Sequence, residues 1–146
     1  MTPIAQAFAA DHVGALKRSS SLDAGREPQH PLPAVDLPGL GPVDLELLGD
    51  AVAAAVEFGT GETELAEVDL EHENLYRLPS FLAEALAELT RAEDPELPDD
   101  VARAWVEEAE LTLGPDEVLE VVTSLAQLAA QAEEAGLDLY LWTETG

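Results

Sequence analysis

The sequence contains no cysteine and very little lysine. Its 146 residues include one lysine, one methionine and seven aromatic residues. Without cysteine, the chain can form no disulfide, no thiolate metal site and no cysteine nucleophile. This absence fits a reducing compartment, so we expect the protein in the cytoplasm. Because aromatic residues are scarce, we expect a core built mainly from leucine, valine and alanine.

Long apolar runs and a basic leader are also missing. No stretch approaches 18 consecutive apolar residues, so we expect no membrane span. Residues 1–10 carry no basic residue and are interrupted by Gln6, which argues against a secretory signal. Anionic membranes and phosphate backbones need cationic side chains, so we expect neither membrane association nor direct nucleic-acid binding.

Acidic residues are abundant and unevenly placed. Thirty-one acidic residues face six basic ones, for a net charge of −25. Up to Val43 the net charge is −1, whereas the remaining 103 residues carry 27 acids against three arginines, a net charge of −24. A hydrophobic content of 47 % nevertheless indicates a globular protein. The sequence therefore predicts an acidic module behind a nearly neutral segment.

The residue pattern predicts an α+β fold, predominantly α, preceded by a flexible N-terminal arm. Residues 1–18 are predicted to form a short helix, because Ile4 and Phe8 fall at helical spacing with His12 and Leu16. Residues 19–42 contain five prolines and three glycines and are predicted to be a flexible linker.

Residues 43–146 are predicted to be an acidic, helix-rich globular domain. With the N-terminal helix, the fold would contain four to five helices. Apolar periodicity and end signals place the helices of this domain at about 44–58, 80–92, 99–111 and 115–135. Alternating segments at about 65–71 and 137–142 predict a small two-stranded β element.

One cluster has the composition of a metal site. Asp69, Glu71, His72 and Glu73 would offer oxygen and nitrogen ligands if they shared a face, which makes a small enzyme or metal-binding domain one alternative. They are weak candidates, because acids are frequent throughout the chain. The three histidines lack metal-binding spacing, and no serine lies in a nucleophile motif. We therefore expect no catalytic residue, no metal and no cofactor.

The last strand leaves two interpretations open. Tyr140 and Trp142 alternate with three leucines, so both faces of the strand can be buried. Alternatively, the two aromatics form an exposed patch beside Asp138 and Glu144, which has the composition of an interface hot spot. In that case Tyr76 is a further candidate contact for a partner. Such a strand also leaves open a homodimer formed through strand pairing.

The preferred functional interpretation is a non-catalytic acidic protein-binding module that binds and modulates a basic protein. It would act as an inhibitor or immunity-type protein through charge, or as an adaptor or chaperone through an apolar groove covered by residues 2–18. Charge steers a basic partner and weakens with salt. Two alternatives remain: the acidity reflects composition bias in a housekeeping protein, or it mimics a nucleic acid.

Overall fold

The computed structural model describes residues 5–24, 34–37, 42–56, 61, 64–68, 74–111 and 114–143. Within these ranges the chain forms five helices and five strands. In chain order they are β1 (Ala5–Ala10), α1 (His12–Asp23), β2 (Ala34–Asp36), α2 (Pro42–Ala55), β3 (Ala66–Glu67), β4 (Leu75–Arg77), α3 (Ser80–Arg91), α4 (Leu97–Ala109), α5 (Pro115–Ala135) and β5 (Asp138–Thr143).

All five strands join one antiparallel sheet in the order β2-β1-β5-β4-β3. The α+β, predominantly helical class is confirmed, but a two-stranded element understates the sheet. The expected pairing of the 65–71 segment with the last strand is wrong, because β4 lies between β3 and β5. β4 has only three residues, too few for a periodic signal. β1 and β4 occupy both edges of β5, so the predicted homodimer through this strand would require one of them to leave.

The N-terminal segment differs most from its prediction. Residues 1–18 do not form one helix: Ala5–Ala10 is a strand, and α1 begins only at His12. Asp11 separates the two, and its carboxylate caps α1 by accepting from the Gly14 amide at 2.7 Å. Alanine favours helices by intrinsic propensity, but tertiary packing overrides this weak preference. β1 is thus an interior strand of the sheet and not part of a flexible N-terminal arm.

The predicted linker is partly regular structure. Its first residues continue α1 to Asp23, and Ala34–Asp36 pairs with β1 as an edge strand. An edge strand tolerates the surrounding prolines because one side of its ladder is unpaired. The remaining linker residues, 25–33 and 38–41, lie outside the described residues.

Helices α2 to α5 form a layer on one face of the sheet. Three small side chains of β1, Ala5, Ala7 and Ala9, face this layer and let α5 approach closely. α5 begins at Pro115 and ends at Gly136, whose φ of 70° is the left-handed cap for which glycine is suited. No helix among the described residues has the length and apolar character needed to cross a bilayer.

The opposite face of the sheet is covered by α1. Phe8, Leu75, Tyr140 and Trp142 form a second, smaller core there, together with Ala15 of α1. Alternation along β1 and β5 thus sends leucines and alanines to the four-helix layer and aromatic side chains toward α1. Both faces of the sheet are thus buried at β1 and β5, whereas residues of β2 and β3 are exposed.

Candidate functional site

The sheet separates two regions of different charge. α1 and its N-cap carry Asp11 and Asp23 against Lys17 and Arg18 and are neutral in sum. The described residues from 42 onward carry 21 acids against three arginines and include the entire four-helix layer. Helix α1 of the neutral N-terminal segment thus lies on one side of the sheet, and the charge of the described residues lies mainly on the side of α2 to α5.

Every described carboxylate is at least partly exposed to solvent. Buried acids are what acid–base catalysis uses to separate pKa values. Among the described residues, no three histidine, aspartate or glutamate side chains lie close enough together to hold a metal ion. The weak metal candidates Asp69, Glu71, His72 and Glu73 lie outside the described residues.

The densest acidic surface lies on α4 and the first turns of α5. Between residues 93 and 120 the chain carries 11 acids and one basic residue, Arg103. Residues 99 and 100 lie in the first turn of α4, and residues 116 and 117 in the first turn of α5. Acids in a first turn stabilise the helix through its dipole, so some of this charge has a structural use. The number of acids exceeds what helix ends require.

A groove of about 630 Å³ lies on this surface between α4 and α5. Its lining is apolar at Ala102, Val106, Pro115 and Val118 and charged at Glu96, Asp99 and Arg103. Along α4 the lining residues span from 96 to 106, a length of about 15 Å at the helical rise. We call the groove and its carboxylates the α4–α5 groove. It combines apolar area with negative charge, as a site for a cationic side chain with an apolar stem would.

Three described arginines already have acidic partners. Arg77 lies 3.4 Å from Asp138. Arg91 donates to the carboxylates of Glu88 and Glu133 at 2.8 and 2.9 Å, and these bonds raise the pKa of Arg91.

The third of these arginines, Arg103, lines the α4–α5 groove and pairs with Asp100. These exposed pairs each contribute little stability. On α3, α4 and α5 these pairs involve the carboxylates of Glu88, Asp100 and Glu133.

The predicted aromatic patch is not exposed. Tyr140 and Trp142 are only 1 % and 4 % exposed, because α1 covers the face that sequence reasoning left open. Of the other predicted contacts, Asp138 is exposed and Tyr76 is half-buried. Glu144 lies outside the described residues. The candidate contacts Tyr140 and Trp142 are therefore core residues.

Sequence reasoning missed a buried arginine in the second core. Arg18 is 9 % exposed, and its Nε donates to Oε1 of Gln6 at 2.7 Å. Its guanidinium lies 5.3 Å from the ring centroid of Phe8, which itself stacks on Tyr140. Burial lowers the pKa of Arg18, and Asp36 opposes that shift. The sequence signal for its burial is the helical spacing that places Arg18 on the same face of α1 as Ala15 and Leu22, which both pack in the second core.

Comparisons with known proteins returned nothing: no family model, no curated protein and no solved structure matches the chain.

Proposed function

We propose that the protein is a non-catalytic acidic module that binds and modulates a basic protein through the α4–α5 groove. The observation that carries this proposal is the 11-to-1 excess of acids over basic residues between 93 and 120, around a groove with an apolar side. The same proposal places the protein in the cytoplasm, a reducing compartment in which proteins ordinarily carry no disulfide, as this chain without cysteine carries none.

Charge and apolar area have different roles in this proposal. The exposed carboxylates attract a basic partner over a distance of about one Debye length, roughly 8–10 Å at physiological salt, and accelerate its encounter. The apolar residues of the groove then accept the stems of lysine or arginine side chains, which bury their methylene groups while the charged head stays at the carboxylates. Such a complex is selective for cations and weakens as salt rises.

The inhibitor type is favoured over the adaptor or chaperone type. A chaperone groove under a displaceable N-terminal helix would require residues 2–18 to leave the surface. β1 instead pairs with both β2 and β5, so its removal would break the sheet.

The experiment is an affinity pull-down from the source lysate at about 50 and 500 mM salt, a range over which screening changes strongly. The groove variant is Glu96→Gln/Asp99→Asn/Asp100→Asn, in which Asp100 is the partner of the groove-lining Arg103. The matched control removes three exposed carboxylates elsewhere: Glu64→Gln/Glu67→Gln/Glu134→Gln.

We expect a basic protein bound stoichiometrically at low salt, released at high salt, and lost from the groove variant but retained by the control. Equal loss in both triple variants would show that net charge alone governs capture. Capture that is unchanged by salt and by the groove variant would overturn the proposal.

A further inference from the structure

The strand β2 lies at one end of the sheet, beside the acidic N-terminal half of α5. The Leu37 amide donates to the Ala5 carbonyl oxygen at 2.9 Å, and the register pairs Val35 with Ala7 and Asp36 with Gln6. Hydrogen-bonded and non-bonded pairs alternate in an antiparallel ladder. Val35 therefore directs its backbone groups toward β1, whereas Ala34 and Asp36 direct theirs away from the sheet. No described strand pairs with this outer edge.

α5 faces β2 across a cavity. A cavity of about 550 Å³ is lined by β2 on one side and by Glu117, Glu120, Val121 and Ser124 of α5 on the other. A further strand placed beside β2, about 4.8 Å away, would lie in this space. The side chains of that strand that point toward α5 would meet two carboxylates, a valine and a serine hydroxyl.

The other face of such a strand would also meet negative charge. Asp36 belongs to the alternate set of β2 residues, on the side of Gln6, whose Nε2 donates to its Oδ1 at 3.4 Å. The carboxylates near the edge are therefore placed on both faces of the sheet. A second copy of this acidic chain would bring the same charges to the same place, so the charge opposes self-pairing.

We infer that the outer edge of β2 accepts an extended cationic segment of a partner protein as a sixth, antiparallel or parallel strand. Its main chain would be bound by Ala34 and Asp36. Because alternate side chains of a strand point to opposite faces, every second residue would point toward α5, and there lysine or arginine would meet Glu117 and Glu120. Apolar residues would occupy the positions between. Strand addition supplies affinity through main-chain hydrogen bonds and selectivity through side-chain pockets. The inference rests on the proposed function only for the cationic character of the partner, and it uses a different surface.

The test uses the full chain and a defined probe, an acetylated and amidated octapeptide of alternating lysine and valine. A second peptide has the same sequence with every backbone nitrogen methylated, which keeps the charge and removes the donors from both edges of the strand. A third peptide has glutamate in place of lysine. Binding is measured by calorimetry at low salt, and amide exchange of Ala34 and Asp36 is followed by NMR.

We expect the lysine peptide to bind and to slow exchange of the Ala34 and Asp36 amides. N-methylation should weaken binding by at least about tenfold, the effect of losing one to two net hydrogen bonds. The glutamate peptide should not bind. Ala34→Pro, which removes one outward N–H from an edge position, should weaken binding similarly, whereas Ala34→Val should not.

Glu117→Gln/Glu120→Gln should also weaken binding and lower its salt dependence. Because the N-methylated peptide acts on the unaltered protein, the test does not depend on whether Ala34→Pro folds. Equal affinity of the lysine peptide and its N-methylated form would overturn strand addition.

Two further outcomes would also overturn the inference. One is lysine-peptide binding that is lost in the groove variant yet intact in Ala34→Pro, which would leave the proposed function standing. The other is self-association that Ala34→Pro abolishes, which would make a second copy the occupant.

Discussion

The indole Nε1 of Trp142 donates a hydrogen bond to Oδ1 of Asp23 at 2.8 Å. This bond joins the last described strand to the end of α1, across 119 residues of sequence. The same carboxylate oxygen also accepts from Nδ2 of Asn74 at 3.3 Å. The Asp23 carboxylate thus holds the end of α1 against the aromatic face of the sheet and accepts the hydrogen bond of the buried Trp142 indole N–H.

Asp23→Ala should destabilise the fold. The Trp142 N–H would lose its partner in a part-buried position, at a cost of about 1–3 kcal/mol. Urea unfolding measures the change in the free energy of unfolding. Glu134→Ala is the control, because it removes an equal charge from an exposed position and should change stability by less than about 0.5 kcal/mol. Similar losses in both variants would contradict the role of Asp23.

Asp11→Ala should destabilise α1 through loss of its N-cap. The Asp11 carboxylate accepts from the Gly14 amide at 2.7 Å, and such caps contribute about 1 kcal/mol. Asp11→Asn should keep most of this stability, because asparagine also caps well. Thermal unfolding monitored by circular dichroism compares the two. An equal decrease in both would show that charge, and not capping, is what Asp11 supplies.

Ala7→Leu should destabilise the protein by about 1–3 kcal/mol, the usual cost of adding volume to a packed core. Ala7 is fully buried where β1 meets the helical layer. Ala104→Leu on the exposed surface of α4 is the matched control and should be nearly neutral. If chemical denaturation gives equal values, the alanines of β1 are not a close-packing surface.

Stability should fall in alkaline solution through Tyr140. Burial raises the pKa of Tyr140, Asp138 raises it further, and Arg77 partly opposes this. Between the ordinary tyrosine pKa of about 10 and the raised value, the unfolded chain loses a proton that the folded chain keeps. The stabilisation is therefore full below pH 10 and is lost as pH rises through the folded pKa.

Tyr140→Phe should make the alkaline decrease shallower, because it removes this titrating group. Tyr76→Phe is the control and should retain the decrease, since Tyr140 is still present. The free energy of unfolding is measured from pH 8 to about 11.5, a range that brackets the ordinary tyrosine pKa. An unchanged slope in Tyr140→Phe would refute the assignment.

Sequence reasoning was most successful where one element carries its own signal. α5 combines long apolar periodicity with Pro115 and Gly136 at its ends, and its predicted bounds agree with the structure. β5 has clear alternation, and its observed bounds, Asp138–Thr143, are shifted by one residue from the predicted 137–142. β1 was missed because alanine suits helix and strand alike, and β2 and β4 are too short for periodicity.

The candidate site was less accessible to sequence reasoning for a physical reason. Whether Tyr140 and Trp142 are exposed depends on α1 docking over them, a tertiary contact with no local signature. The α4–α5 groove likewise depends on how two helices cross. The excess charge between 93 and 120 was readable from the sequence, but its position around an apolar groove was not.

The central claim is that the acidic surface binds a basic protein through charge at the α4–α5 groove. Its most direct test is calorimetric affinity of the captured partner across a salt series from about 50 to 500 mM, for the unaltered chain and for the groove variant. We expect the affinity of the unaltered chain to fall at least about tenfold, and the groove variant to bind weakly with a shallower slope. Affinity that stays flat across the series, or equal slopes for the two proteins, would contradict the claim.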